Sequence, residues 1–223
     1  KMILPAQQIV AHYKKGDILI APFDEDQVQA ASYDLRVGEQ GATTTGRKLV
    51  NIKEVGYLAI EPGDFAILIT LEELKLGPQY SARFGLRSKY ARKGLIATTG
   101  PQVDPGYHGR LIIGLTNLTP KSVTLPYKDD LLTVEFHKLE EATTKPYTGP
   151  YQGKMELGAE EIEAITQSEG MALSEMITTL RSLSANVGKL SADMTWMKWV
   201  LLAGVGILAL GIAIIGILVE LRH

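Results

Sequence analysis

The 223-residue chain has no cysteine. That absence excludes disulfides, thiolate nucleophiles, iron–sulfur clusters and every zinc site built on sulfur, the zinc-dependent nucleobase deaminases among them. Net charge is also scarce: 23 basic and 25 acidic side chains leave −2, so nothing draws the chain in bulk toward a polyanion, and nucleic acid is not an expected partner. His12, His108, His137 and His223 have no spacing suited to a metal pair. No internal repeat is visible, and the first ten residues lack the charged, apolar and small-residue pattern of a secretory signal.

Long apolar runs are missing as well, until residue 199. Residues 199–219 are then 21 consecutive uncharged positions, filled after Trp199 by Leu, Ile, Val, Ala and Gly. As a helix this run would span about 31 Å, close to the hydrocarbon thickness of a bilayer. The only two tryptophans, Trp196 and Trp199, stand with Lys198 at its start, where aromatic and basic residues suit the headgroup level. The sequence therefore predicts a single-pass C-terminal membrane anchor over 198–220, in contact with lipid through 199–219. With no signal pattern, the head is expected in the cytoplasm.

Before the anchor, Leu173, Met176, Leu180, Leu183, Val187, Leu190, Met194 and Met197 are spaced 3, 4, 3, 4, 3, 4, 3. That unbroken heptad seam predicts a parallel coiled-coil stalk between copies of the chain over 159–197. Residues 1–140 read differently. Short β-rich runs at 17–21, 57–60, 65–69 and 110–115 are separated by Gly, Pro and Asp, the pattern of an all-β barrel or jelly roll. One helix is expected from Pro5 to Tyr13, with Ile9 and Val10 on its apolar face. Residues 141–158, broken by Pro146 and Pro150, form a connector.

Three segments of the β region carry a resemblance: residues 31–38 (Ala-Ser-Tyr-Asp-Leu-Arg-Val-Gly), 87–95 (Arg-Ser-Lys-Tyr-Ala-Arg-Lys-Gly-Leu) and 103–110 (Val-Asp-Pro-Gly-Tyr-His-Gly-Arg), with Glu61-Pro62-Gly63 between the first two and Asn117 after the last. In this order they resemble the dCTP deaminase and dUTPase superfamily, from Met2 to about Gly153. The resemblance implies a distorted jelly roll, a homotrimer and active sites built between subunits. A trimeric head and a parallel stalk call for compatible symmetry. The same resemblance sets Arg87, Ser88, Lys89 and Arg92 against the phosphates of dCTP or dUTP, a role suited to fixed cations and a hydroxyl. It puts Asp104 beside the deoxyribose and Tyr107 near the sugar ring, and adds Ile112, Ile113 and Tyr147 to the nucleotide-binding set. No tightly bound cofactor is implied, and Mg2+ would enter with the triphosphate.

The chain also departs from that pattern. In dCTP deaminases a proton-shuttling glutamate stands ten residues past the aspartate; here that position is Gly114, and residues 103–120 contain no Glu. General acid–base catalysis is worth about 10² to 10⁴ in rate, so deamination is expected to be crippled or absent. Thr133 replaces the usual Gln three residues before Phe136. The nucleotide-covering tail is suggested by residues 145–147 and 151–153 but is expected to divert at Lys154 toward the stalk. The Gly-rich arm of dUTPases is missing.

These features favour a membrane-anchored homotrimer that keeps part of a nucleotide pocket as a sensor or scaffold without deaminase chemistry. The runner-up is an active deoxynucleotide enzyme, either a pyrophosphatase using Asp104 as base or a deaminase with a substitute carboxylate, Glu61 or Glu135. A third reading is a purely structural spike with a collapsed pocket.

Overall fold

The computed structural model describes residues 2–166 and 173–220, leaving aside the side chains of 166, 173–178, 192, 208–210, 212–213 and 215–220. In chain order the elements are β1 (Met2–Ile3), α1 (Ala6–Lys15), β2 (Ile18–Ala21), β3 (Tyr33–Thr43), β4 (Val50–Asn51), α2 (Ile52–Val55), β5 (Tyr57–Ile60), β6 (Phe65–Leu76), β7 (Tyr80–Leu86), α3 (Ser88–Ala91), β8 (Leu95–Ala97), β9 (Gln102–Val103), β10 (His108–Asn117), β11 (Val123–Pro126), β12 (Asp130–Lys138), α4 (Ala159–Thr166) and α5 (Leu173–Glu220). They form two units, Lys1–Ser174 and Glu175–His223.

The first unit is the expected β structure. One antiparallel sheet runs in the order β8-β10-β6-β3-β12-β7-β9, with β1 added to β12, β2 to β6 and β4 to β3, while β5 and β11 pair separately. Register shifts between Val37 and Gly41, Arg110 and Ile112, and Asp130 and Leu132 mark irregularities of the kind that bend strands and increase their twist. The alternation of strand side chains sorts β6 and β10 into two faces. Ala66, Leu68, Ile113 and Leu115 enter the main core, and Phe65, Ile67, Ile69 and Ile112 belong to a smaller cluster on the other side. The expected helix is α1, two residues longer at its C-terminus than the sequence suggested; Ile9 is buried and Val10 only half-buried.

The boundary expected at 158 is too early. After the connector, α4 does not join a stalk but packs on the head, with Ile165 fully buried among Ala42, Ile67, Ile69 and Leu157. Its start is locally specified: Glu161 reaches back to accept the N–H of Gly158 at 2.8 Å, the reciprocal half of a capping box, and Glu160 and Glu161 place negative charge at the positive end of the helix.

Helix α5, whose residues from Glu175 to Glu220 are the described part of the second unit, is continuous over 48 residues, about 72 Å long at 1.5 Å per residue. Its described seam side chains, Leu180, Leu183, Val187, Leu190, Met194 and Met197, are each at least half exposed. Leu173 and Met176 lie outside the described side chains. The expectation of a membrane-crossing helix is not met there: among the described residues no helix is long and apolar enough to cross a membrane. Much of the apolar run beyond Ile207 lies outside the described side chains.

A buried ion pair ties β3 to β6. Glu72 is fully buried and accepts from the Arg36 N–H at 2.8 Å and from Arg36 Nε at 2.6 Å, and Arg36 also reaches Asp24 at 3.0 Å. Burial raises the Glu72 carboxyl above its usual range, against the pull of Arg36. Removing one partner of such a pair leaves an uncompensated charge. Arg36→Ala should therefore cost the head about 3–5 kcal/mol, measured by urea unfolding, and the additional change Glu72→Gln should recover part of the loss.

Candidate active site

A cavity of about 440 Å³ opens on the side of the sheet that carries the smaller cluster. One wall is the turn from Asp104 to Tyr107, closed by the Tyr107 N–H donating to Asp104 O at 3.1 Å. Gly106 sits in it at φ 85°, and a Cβ there would come within 2.6 Å of Pro146, so only glycine fits. Gln102 Nε2 donates to Asp104 Oδ1 at 2.6 Å and orients the carboxylate. Tyr107 is nearly buried and its hydroxyl donates to Arg110 O at 2.7 Å; burial pushes that phenol well above its ordinary pKa.

The tail straps this turn. Tyr147 N–H donates to Pro105 O at 2.8 Å, Gly153 N–H to His108 O at 2.7 Å, and Arg110 N–H to Lys154 O at 2.8 Å. Gln152 bridges the His108 N–H and Gly106 O at 3.1 and 3.0 Å. The strap sets the Tyr147 ring 5.6 Å from that of Tyr107 and brings Tyr147 and Tyr151 into the cavity wall. The expected diversion at Lys154 does not occur. The chain turns into α4, which adds Glu160, Glu161 and Ala164 to the same cavity. Glu161 is paired with Lys154. Burial pulls its carboxyl upward, but Lys154 and the N–H groups of Glu161 and Gly158 outweigh that and hold it below the usual range.

Of the residues expected in a nucleotide site, Asp104, Tyr107, Ile112 and Tyr147 line this cavity and Gly114 forms part of its floor. Ile113 does not: one step along β10 turns its side chain into the main core, where it is fully buried. Arg87, Ser88, Lys89 and Arg92 lie at α3, and none lines the cavity. Arg87 pairs with buried Asp34 and sits 3.7 Å from Asp130, and Thr133, in place of the expected Gln, donates to Asp34 at 2.8 Å. Lys89 holds both Asp129 oxygens at 2.6 and 2.8 Å. Despite its burial, the Asp129 carboxyl is lowered by Lys89 and Tyr90. Among the described residues, no group of three or more His, Asp and Glu is placed to hold a metal ion.

The floor at Gly114 is crowded. A Cβ there would lie 2.5 Å from Thr98 Oγ1 and 3.0 Å from the Phe65 ring, while Gly114 N–H donates to Thr99 Oγ1 at 2.6 Å and Gly114 O accepts from the Thr98 N–H at 2.9 Å. Neither Glu61 nor Glu135 enters the cavity; Glu135 instead lies 3.5 Å from His137. The cavity carboxylates that the sequence reading missed are Glu160 and Glu161. Their signal was present as Gly158-Ala-Glu-Glu161, a helix start with acidic first-turn residues. The cavity is open, contrary to the collapsed pocket of a purely structural spike.

The family model described as dCTP deaminase-like matches residues 3–139, so α4 and α5 lie beyond the matched part. The dCTP deaminase of Thermococcus sibiricus is 40% identical over 156 residues, which cover 70% of this chain and 95% of that protein. That of Pyrococcus abyssi is 38% identical over 152 residues, covering 68% and 94%. The dUMP-forming dCTP deaminase of Aquifex aeolicus is 28% identical over 163 residues, covering 69% and 91%. Among solved structures, 2'-deoxycytidine 5'-triphosphate deaminase from Agrobacterium tumefaciens superposes with a TM-score of 0.53 at 21% identity, over 61% of this chain and 48% of that one, a likeness of fold alone.

A side chain introduced at 114 requires Thr98 Oγ1 and the Phe65 ring to shift. Gly114→Glu should cost about 1–3 kcal/mol of head stability through overpacking, seen in thermal unfolding.

Proposed function

The chain belongs to the dCTP deaminase-like family, and from that premise we propose that its head binds a pyrimidine deoxynucleotide without deaminating it, as a sensor or scaffold. The observation that carries this reading is Gly114: the position that would bear the family's glutamate has no side chain, and Thr98 and Phe65 fill the space around it. Asp104 and Tyr107 would meet the deoxyribose, Ile112 and Tyr147 would enclose base and sugar, and Arg87, Ser88, Lys89 and Arg92 would meet the phosphates of a nucleotide held in a neighbouring copy's cavity. Mg2+ would accompany the triphosphate. That division between copies is in keeping with the separation of the 87–92 cluster from the cavity lining. It requires a homotrimer, for which the exposed heptad seam of α5 offers a second contact between copies.

One observation favours a second reading, an active deaminase with a substitute carboxylate: Glu160 and Glu161 reach the cavity wall. The deciding experiment is titration of purified trimer with dCTP and dUTP in Mg2+, alongside assays for ammonia and pyrophosphate. Saturable binding with neither product is the expected result. Ammonia release that disappears in Glu160→Gln would establish the second reading instead, and pyrophosphate would point to Asp104 as a base.

Attachment to a membrane is proposed on the sequence alone, from the 21 uncharged residues 199–219 and their flanking Trp196, Lys198 and Trp199. Deleting residues 196–223 should move the protein from the membrane pellet to the soluble fraction on ultracentrifugation. A truncated protein that still pellets with lipid would rule the anchor out.

A further inference from the structure

The cavity is bounded on one side by an element outside the family match. Glu160, Glu161 and Ala164 of α4 line it, and α4 is firmly seated. Ile165 is fully buried in the smaller cluster, and the Leu157 N–H just before the helix donates to Gln40 Oε1 at 2.8 Å. An eight-residue helix does not persist in water on its own, so this wall exists because it is docked. With Asp104 it gives the cavity three carboxylates. Among the described residues no Lys, Arg or His lines the cavity, and the nearby Lys154 is engaged by Glu161. The other walls are largely apolar: Phe65, Ile67, Phe84 and Leu111.

Glu161 is offset by Lys154, and Glu160 is exposed at the rim, where its charge still repels an approaching like charge, most strongly at low salt. A phosphate cannot share this space favourably, whereas a base and a sugar, which are uncharged and carry hydrogen-bond donors, can. We propose that α4 makes the cavity a nucleoside pocket, with Glu160 as the specificity-determining residue that turns phosphate away, so that a nucleotide enters base and sugar first and leaves its phosphates outside. This inference rests on the nucleotide-binding reading above. It assigns to α4 a selective role that the matched residues 3–139 do not contain.

The test is calorimetric titration of the full-length protein in detergent with deoxycytidine, dCMP and dCTP, comparing the unmodified chain with Glu160→Gln. Glu160 is chosen because Glu161 also caps the helix. The variant should bind dCMP and dCTP about three- to tenfold more tightly at low salt, as expected for removing one like charge, and the gain should shrink as salt screens it. Deoxycytidine affinity should change less than twofold. Ile165→Ala, which loosens the wall without touching its charge, should shift the same preference toward phosphorylated ligands, with faster amide exchange at Ile162 reporting the undocking. Equal shifts for all three ligands, or none, would overturn the role of α4 and leave nucleotide binding intact. Failure of every ligand to bind either protein would remove the nucleotide reading and this inference with it.

Discussion

The strap of main-chain hydrogen bonds between residues 147–154 and the 105–110 segment is what the site depends on. Each such bond contributes only about 1 kcal/mol net, but several in succession fix one register. That register places Tyr147 and Tyr151 at the mouth and sends the chain into α4 at the right point to seat Ile165. Without the strap, the cavity would lose its tyrosine wall and the two carboxylates of α4, and Tyr147 would no longer pack against the main core. The turn it grips is narrow enough at Gly106 that a side chain would collide with Pro146, so strap and turn are complementary surfaces rather than independent features.

Two of the cations expected to meet phosphate, Arg87 and Lys89, are already engaged. Arg87 is held by Asp34 and lies close to Asp130, and Lys89 is gripped by both oxygens of Asp129. A phosphate at this cluster has to compete with carboxylates that cost nothing to organise, which favours a highly charged ligand over a weakly charged one. On the proposed reading the acidic cavity and the acid-bound cations would act in the same direction: one would repel phosphate from the interior, and the other would favour it only where its charge is large.

Much of this was legible from the sequence because it is local. The strand runs and the Asp-Pro-Gly-Tyr turn are set by short-range pattern and turn chemistry, and each lies where the pattern placed it. Period-two alternation would even have separated Ile112 from Ile113 had the facing of β10 been fixed in advance. What was not legible depends on contacts distant in sequence. α4 is too short to announce itself by periodicity and follows a Pro- and Gly-rich connector, and its position is decided by Gln40, Ala42, Ile67 and Ile69, more than ninety residues earlier. The heptad seam stays on the exposed face of α5, where a single copy of the chain gives it nothing to meet.

The crowding at Gly114 also bears on how this head can change over time. Thr98 Oγ1 and the Phe65 ring stand close to where a side chain at 114 would begin, so a single substitution there meets a steric penalty unless both side chains shift. Making Phe65 smaller first would open a void in the cluster beside Ile112 without immediate gain. Each of these single changes therefore gives a less stable protein. The glycine thus ties position 114 to Thr98 and Phe65, so this part of the cavity floor can be rebuilt only by changes made together.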